Sequence, residues 1–153
     1  MSWKTILVPH DFSASANHAA AIARDEAKLH GARIVLLHVI DLPHNLGPDT
    51  VIVPDATGAP VNIKDYAVNS ADAHLTDLRE RLGKDGVAVT ALVRIGNPVD
   101  EINKLAEEQR VDIIFMGTHG RTGLQHLLVG SVAERVVRSS PIPVLTIRHP
   151  DHR

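Results

Sequence analysis

The sequence predicts an α/β protein with a single domain, in which helices cover both faces of an open, twisted, five-stranded parallel sheet. Its 153 residues fit one compact domain. Apolar residues make up 44% of the chain but only four residues are aromatic, so the core must be aliphatic, as in β-branched strands between alanine-rich helices. Strand and helix patterns alternate along the chain, and this order implies right-handed crossovers between parallel strands.

The first 40 residues predict a strand, a helix and a second strand. Residues 5–8 are apolar and precede a proline, and Ser13 is a suitable N-cap for a helix over 14–30 that a glycine ends. Alanines recur in that helix at helical spacing and give it a small-residue face that fits closely on a sheet. Only His38 interrupts the apolar residues of 33–40, and a strand that is apolar on both faces is typical of the centre of a parallel sheet.

Residues 41–60 interrupt the alternation because they contain four prolines and two glycines, and they predict a long loop. The apolar residues 51–53 within it either contact a partner or fold over a ligand, or else the loop is a mobile surface connection. A helix follows over 62–83, where apolar residues recur at intervals of three and four. The alternation therefore resumes after the loop.

The remainder of the chain predicts two more strand–helix units and a final strand. Residues 87–95 form the third strand, and an Asn-Pro pair then opens a helix over 98–109. The fourth strand covers 111–116, the fourth helix 131–139 and the fifth strand 143–149. In such sheets ligands bind beyond the carboxyl ends of the strands, where the strand order reverses, so the loops after the strands are the candidate functional segments.

Charge and composition exclude several classes of function. Sixteen Lys and Arg against eighteen Asp and Glu give a net charge of −2 without a long basic run, so no nucleic-acid partner is expected. The absence of cysteine removes disulfides, zinc–thiolate sites and cysteine nucleophiles. The ten histidines do not converge with carboxylate pairs, so we expect no metal ligand from the protein. Without an apolar stretch of signal-peptide or membrane-span length, the sequence predicts a cytoplasmic protein with no membrane contact.

The loop after the fourth strand carries most of the chemical information. Gly117 and Gly120 allow the backbone to approach a ligand closely, and Gly130 with Ser131 stands where the fourth helix begins. Free amides and the positive end of the helix dipole there would bind an anion such as phosphate, with the Ser131 hydroxyl as a further donor. A glycine turn followed by an ordinary serine N-cap explains the same residues, and both interpretations stay open at this point.

The spacing Gly117-x2-Gly120-x9-Gly130-Ser131, followed by a helix and a Pro-Ile-Pro-Val-Leu segment, resembles the ATP-binding signature of the universal stress protein family. The opening Ile-Leu-Val-Pro-His-Asp-Phe-Ser segment, which contains Asp11, is similar to the first strand and acidic residue of that family. The resemblance implies an adenine nucleotide alpha hydrolase-like fold with strand order 3-2-1-4-5. It also implies one universal stress protein domain over residues 1–153, with a tail at 149–153.

The same resemblance implies a site for ATP, with Mg²⁺ or Mn²⁺ brought by the phosphates. Asp11 matches the family acid that contacts the adenosine end, Val39 matches the position whose backbone meets the adenine, and the start of the fourth helix holds the phosphates. Arg121 either reaches the outer phosphates or is a solvated loop arginine. No aromatic ring is expected on the adenine, unless Phe12 or Phe115 lies near it. The implied nucleotide-binding residues are Pro9, Asp11, Val39, Met116, Gly117, His119, Gly120, Arg121, Gly130, Ser131 and Val132.

The function implied by the resemblance is that of a nucleotide-dependent regulator or sensor in stress response. It would form a homodimer through residues 143–149, and an unidentified protein partner would read its nucleotide state. The alternative is a slow Mg-dependent ATPase, for which His119 is the candidate weak base, although His119 is equally a spacer with a solvated ring. A phosphorelay receiver is excluded because the third strand ends in Arg-Ile-Gly where that class needs an aspartate.

Overall fold

The computed structural model of the protein describes residues 2–47, 49–119 and 129–150. The described strands are β1 (Thr5–Pro9), β2 (Arg33–Ile40), β3 (Val51–Ile52), β4 (Val61–Asn62), β5 (Val89–Ile95), β6 (Ile113–Gly117) and β7 (Val144–Ile147). The described helices are α1 (Ala14–His30), α2 (Ile63–Gly83), α3 (Pro98–Glu108) and α4 (Ser131–Ser139). All nine predicted strands and helices are present, and the bounds of α1, β2 and α4 are as predicted.

Five of the described strands form one parallel sheet in the order β5-β2-β1-β6-β7. Counted as the five predicted strands, this order is 3-2-1-4-5, and the predicted fold class is confirmed. From β1 the sheet grows toward β2 and β5 on one side and toward β6 and β7 on the other, so the strand order reverses between β1 and β6. The carboxyl ends of these two strands mark the switch point at which such sheets bind ligands.

Two aliphatic cores hold helices on opposite faces of the sheet. Because side chains alternate along a strand, Ile6 and Val8 of β1 pack with α1 and α2, whereas Leu7 packs with α3 and α4. The alanines of α1 that face the sheet are buried, which brings this helix close to the strands. Phe115 of β6 is completely buried in the same core as α1.

The predicted helix starts and stops form as the residues imply. Ser13 caps α1 by accepting a hydrogen bond from the Ala16 amide at 3.1 Å, and Gly31 ends the helix in the left-handed conformation at φ 65°. Asn97 caps α3 by accepting from the amides of the first turn, directly before a proline.

The prediction of a long loop over 41–60 is wrong in one respect. Val51 and Ile52 pair antiparallel with Asn62 and Val61, so a short hairpin closes the segment. Its base is held because the amide of Ile63 donates to the carbonyl of Thr50 at 2.9 Å. The β-branched residues favour extended backbone once they find a partner, and α2 starts one residue later than predicted because Asn62 is its N-cap.

None of the helices in the described residues has both the length and the apolar character needed to cross a bilayer.

Candidate functional site

A cavity of about 290 Å³ opens at the carboxyl ends of β1, β2 and β6, beside the start of α4. Nine of the eleven predicted site residues line it, while Gly120 and Arg121 lie outside the described residues. The predicted residues on its wall are Pro9, Asp11, Val39, Met116, Gly117, His119, Gly130, Ser131 and Val132. The cavity residues that sequence reasoning missed are His10, Ala16, Leu37, His38, Pro98, Ile102, Thr118 and Ala133.

The turn that carries Asp11 is fixed by hydrogen bonds on both sides. The amide of His10 donates to the carbonyl of Leu37 at 2.8 Å and extends the pairing of β1 with β2 by one residue. The Asp11 carboxylate then accepts from the amide of Ser13 at 3.0 Å, and Ser13 caps α1. One oxygen of Asp11 is therefore tied to the start of α1 while the residue lines the cavity.

His10 is a buried residue of this turn, and both of its ring nitrogens have partners. Nδ1 accepts a hydrogen bond from the amide of Phe12 at 3.0 Å, and Nε2 lies 3.2 Å from the Oδ1 of Asn17. An acceptor at Nδ1 and an oxygen partner at Nε2 place the proton on Nε2 of a neutral ring. Burial lowers the pKa of His10 from 6.5 to about 4, against the opposing effects of Asp11 and Asn17.

Phe12 adopts a left-handed backbone conformation with φ 65°, which costs a bulky residue roughly 1–3 kcal/mol. Its ring packs between imidazoles, with centroid distances of 4.5 Å to His38, 5.2 Å to His74 and 5.4 Å to His10. Phe12 is therefore used to support the turn, and Phe115 is buried in the core. Neither residue is among the described residues that line the cavity.

The backbone amide and carbonyl of Val39 face the cavity just past the end of β1. On β2, the carbonyl of Leu37 accepts from His10 on the β1 side, whereas the carbonyl of Ile40 accepts from Gly96 on the β5 side at 3.0 Å. Backbone amides and carbonyls point to alternate sides along a strand, so those of Val39 point toward the β1 side, as those of Leu37 do. Since the β1–β2 pairing ends opposite Leu37, the amide and carbonyl of Val39 face the cavity.

Gly117 is required for packing as well as for access to the cavity. A Cβ atom at this position would lie 2.4 Å from the Oγ of Ser15, 2.7 Å from the carbonyl carbon of Ser15 and 2.9 Å from the amide nitrogen of Ala16. The sequence indicated close approach to a ligand, but the nearest neighbour is the first turn of α1. This contact brings the end of β6 against the helix that begins after Asp11.

The segment after β6 is anchored in two directions. The amide of His119 donates to the Oγ of Ser15 and its carbonyl accepts from the Oγ of Ser13, each at 3.4 Å, so its backbone lies against α1. The Oγ1 of Thr118 lies 2.9 Å from the Nδ1 of His119. The amide of Thr118 donates to Ile147 of β7 at 3.0 Å, and its carbonyl accepts from the amide of Gly130 at the start of α4.

Helix α4 begins with an N-cap that has no side chain. Gly130 is the N-cap with φ −66° and ψ 157°, and Ser131 is the first helical residue. The interpretation of Ser131 as an ordinary N-cap is therefore wrong. Glycine offers no side-chain oxygen to the amides of the first turn. These amides, from Ser131 onward, lie beside the cavity at the positive end of the helix dipole.

The cavity has little fixed charge in the described part of the chain. Asp11 is its acidic residue, and neither lysine nor arginine occurs among its described lining residues. The described residues also contain no group of three His, Cys, Asp or Glu side chains placed to hold a metal ion. Anion binding here would thus depend mainly on backbone amides, because the described wall contains neither lysine nor arginine.

The described residues thus form a doubly wound α/β domain with a cavity at the switch point, beside the start of a helix, which is an arrangement in which many proteins bind phosphorylated ligands. A family model described as the universal stress protein family matches residues 2–148. The chain belongs to the universal stress protein family, which confirms the resemblance seen in its motifs.

The similarity to individual members extends over the whole chain. Universal stress protein MJ0577 of Methanocaldococcus jannaschii is 32% identical over 154 residues, which cover 95% of each chain. The solved structure of MJ0577 has a TM-score of 0.80 at 30% identity and covers 97% of this chain and 98% of its own.

Two more distant solved structures share the fold and hold adenine nucleotides. One is a universal stress protein in complex with cAMP, with 21% identity, a TM-score of 0.69 and coverage of 97% of this chain and 98% of its own. The other is the universal stress protein from Archaeoglobus fulgidus in complex with dAMP, with 23% identity, a TM-score of 0.68 and coverage of 96% and 99%.

Proposed function

We propose that the chain binds ATP in the cavity between β1, β6 and α4 and acts as a nucleotide-dependent regulator or sensor. The observation that carries this proposal is the convergence of three groups on one cavity. These are the backbone of Val39, the carboxylate of Asp11 and the amides at the start of α4. A nucleotide can use each of them: the backbone of one residue for the base, a carboxylate for the ribose hydroxyls and the amides at a helix start for the phosphates.

The adenine end lies at Val39 in this proposal. The exocyclic amino group and a neighbouring ring nitrogen of adenine present a donor beside an acceptor, and the carbonyl and amide of one residue can pair with both. Leu37, Ile102 and Met116 supply apolar walls to the same cavity. The cAMP and dAMP complexes support the proposal because they show that proteins of this fold accommodate adenine nucleotides.

The phosphate end lies at Gly130, Ser131 and Val132. Unshared amides at a helix N-terminus bind anions, and the helix dipole contributes roughly half a positive charge there. Mg²⁺ or Mn²⁺ would be held by the phosphates, so the protein supplies orientation and not metal ligands. Gly120 and Arg121, which lie outside the described residues, are proposed to complete this end, with Arg121 reaching the outer phosphates.

The proposed homodimer forms through the exposed edge of β7. The two outer strands of the described sheet differ in how well their edges resist pairing. On β5, Arg94 forms ion pairs with Glu101 at 3.4 Å and with Glu108. On β7 the residues are uncharged, and Leu145 is 42% exposed. An uncharged strand edge with exposed apolar content favours pairing with a second copy.

The test of the proposed function is the identity of any nucleotide carried by the purified protein. We expect heat denaturation of the protein to release an adenine nucleotide, and saturating Mg-ATP to stabilise the nucleotide-free protein by about 2.7 kcal/mol at a ligand concentration of 100 Kd. The absence of both a released nucleotide and a thermal shift would contradict the proposal. Phosphate release over hours distinguishes a regulator from the alternative, a slow ATPase. A cytoplasmic location, where ATP is supplied, is part of the proposal.

A further inference from the structure

The turn that carries Asp11 depends on the neighbouring His10, whose two ring nitrogens both face partners within the protein. His10 accepts the Phe12 amide on Nδ1 and donates toward Asn17 from Nε2, while the Asp11 carboxylate holds the next amide of the same turn. We propose that His10 is a positioning residue, which keeps Asp11 turned into the cavity only while its ring is neutral and carries its proton on Nε2. This inference rests on the proposed function, because Asp11 matters only if the cavity binds a nucleotide.

The geometry explains why the neutral ring is required. Phe12 has a left-handed backbone at φ 65°, and its amide is held there by the lone pair of His10 Nδ1 at 3.0 Å. Protonation of Nδ1 would set an N–H group against the N–H of Phe12, so the hydrogen bond would become a repulsive contact. A strained residue that loses its restraint returns to ordinary backbone, and Asp11 is the residue directly before it.

The groups that face His10 come from four elements. Asp11 in the same turn favours the protonated ring, whereas His38 of β2 and Arg81 of α2 disfavour it, as does burial. His38 also approaches the main chain of this turn, since its Nδ1 lies 2.7 Å from the carbonyl of His10. His74 of α2 packs against the ring of Phe12, which packs against His10 in turn. The neutral Oδ1 of Asn17 in α1 faces Nε2. Among the described groups that face His10, Asn17 is a neutral side chain outside the turn that a carboxylate of nearly the same shape can replace.

The test converts that neutral partner into a carboxylate. Asn17 is exposed and lies near the start of α1, where an acidic residue is compatible with the helix dipole, so Asn17→Asp is expected to fold. A carboxylate beside Nε2 raises the pKa of an imidazole by about one to three units. If that pKa moves from about 4 to about 6, the ratio of the Asn17→Asp Kd for ATP to the wild-type Kd is expected to be about ten at pH 5 and about one at pH 8.

The matched control is Ala14→Asp, which adds the same charge to the first turn of α1 at another exposed position. We expect its Kd ratio to the wild type to be constant between pH 5 and pH 8. Because every comparison is a ratio at one pH, titration of ATP itself cancels. A purely structural role for His10 would change the affinity by the same factor at every pH.

Ligand-free NMR separates this inference from the proposed function. The imidazole shifts of His10 report its titration, and the amide of Phe12 is expected to follow with the same midpoint in both wild type and Asn17→Asp. A raised His10 midpoint with a flat ratio of ATP affinities would overturn the positioning role, as would a Phe12 amide that ignores the titration or an unmoved His10 midpoint. Failure of wild type to bind ATP at pH 8 would instead overturn the proposed function, while the NMR result on the turn would still stand.

Discussion

Replacement of Ser131 by proline removes one backbone amide from the proposed phosphate site while the fold is kept. Proline is favoured at the first position of a helix, where its missing N–H has no helical partner. It also requires the preceding residue to be extended, and Gly130 already has φ −66° and ψ 157°. The chain uses the same arrangement in α3, where Pro98 follows the N-cap Asn97. Ser131→Pro is therefore expected to unfold at a temperature equal to or above that of the wild type.

The size of the effect follows from the bond that is lost. A hydrogen bond from an amide to a charged phosphate oxygen contributes about 1.5–3 kcal/mol, and each 1.4 kcal/mol is a factor of ten in Kd. Ser131→Pro is thus expected to weaken ATP binding by about 10- to 150-fold. Ser131→Ala keeps the amide and removes only the hydroxyl, for which a neutral donor predicts a loss of about 0.5–1.5 kcal/mol, or about two- to tenfold.

Isothermal titration calorimetry with Mg-ATP measures both variants, and thermal unfolding without nucleotide checks that each is folded. A folded Ser131→Pro variant that binds ATP as tightly as Ser131→Ala would contradict this prediction. That result would mean that the amide at the start of α4 does not contact the phosphates.

Three further predictions concern packing, protonation and assembly. Gly117→Ala should lower the free energy of unfolding by about 1–3 kcal/mol in chemical denaturation, because the new Cβ meets the backbone of Ser15; a change below about 0.5 kcal/mol would contradict this contact. The depressed pKa of His10 means that the folded state binds fewer protons than the unfolded state. Its contribution to stability is present above pH 6.5 and is lost as the pH falls toward 4, so wild type should lose about 3 kcal/mol more than His10→Asn over that interval; parallel curves would argue against a buried neutral ring. Leu145→Lys should give a monomer in analytical ultracentrifugation while the control Thr90→Lys on β5 stays dimeric, and a dimeric Leu145→Lys would exclude β7 as the interface.

Most of the fold could be predicted because its signals are local. Caps such as Ser13 and Asn97 act within four residues, and apolar periodicity separates strands from helices without knowledge of the partner element. The alternation of strand and helix then leaves few topologies to consider. The hairpin of β3 and β4 was missed because its two strands are two residues long and depend on pairing across eight intervening residues.

The residues predicted for the site line one cavity where the structure describes them, but their supporting contacts were not predicted. Asp11 and Val39 were placed by the resemblance, and the β2 register explains why the backbone of Val39 faces the cavity. The neighbour of Gly117 is α1, and His10 braces the Asp11 turn; both depend on tertiary contacts that leave no periodic pattern in the sequence. A histidine directly before the acidic residue was the one available signal for the second feature.

An NMR titration of the nucleotide-free protein with Mg-ATP, followed through backbone amides, shows whether ATP binds in the cavity between β1, β6 and α4. We expect saturable binding in which the largest amide shifts are those of Val39, Ser131 and Val132, which line one cavity. No saturable binding, or saturable shifts centred on residues away from this cavity, would contradict it.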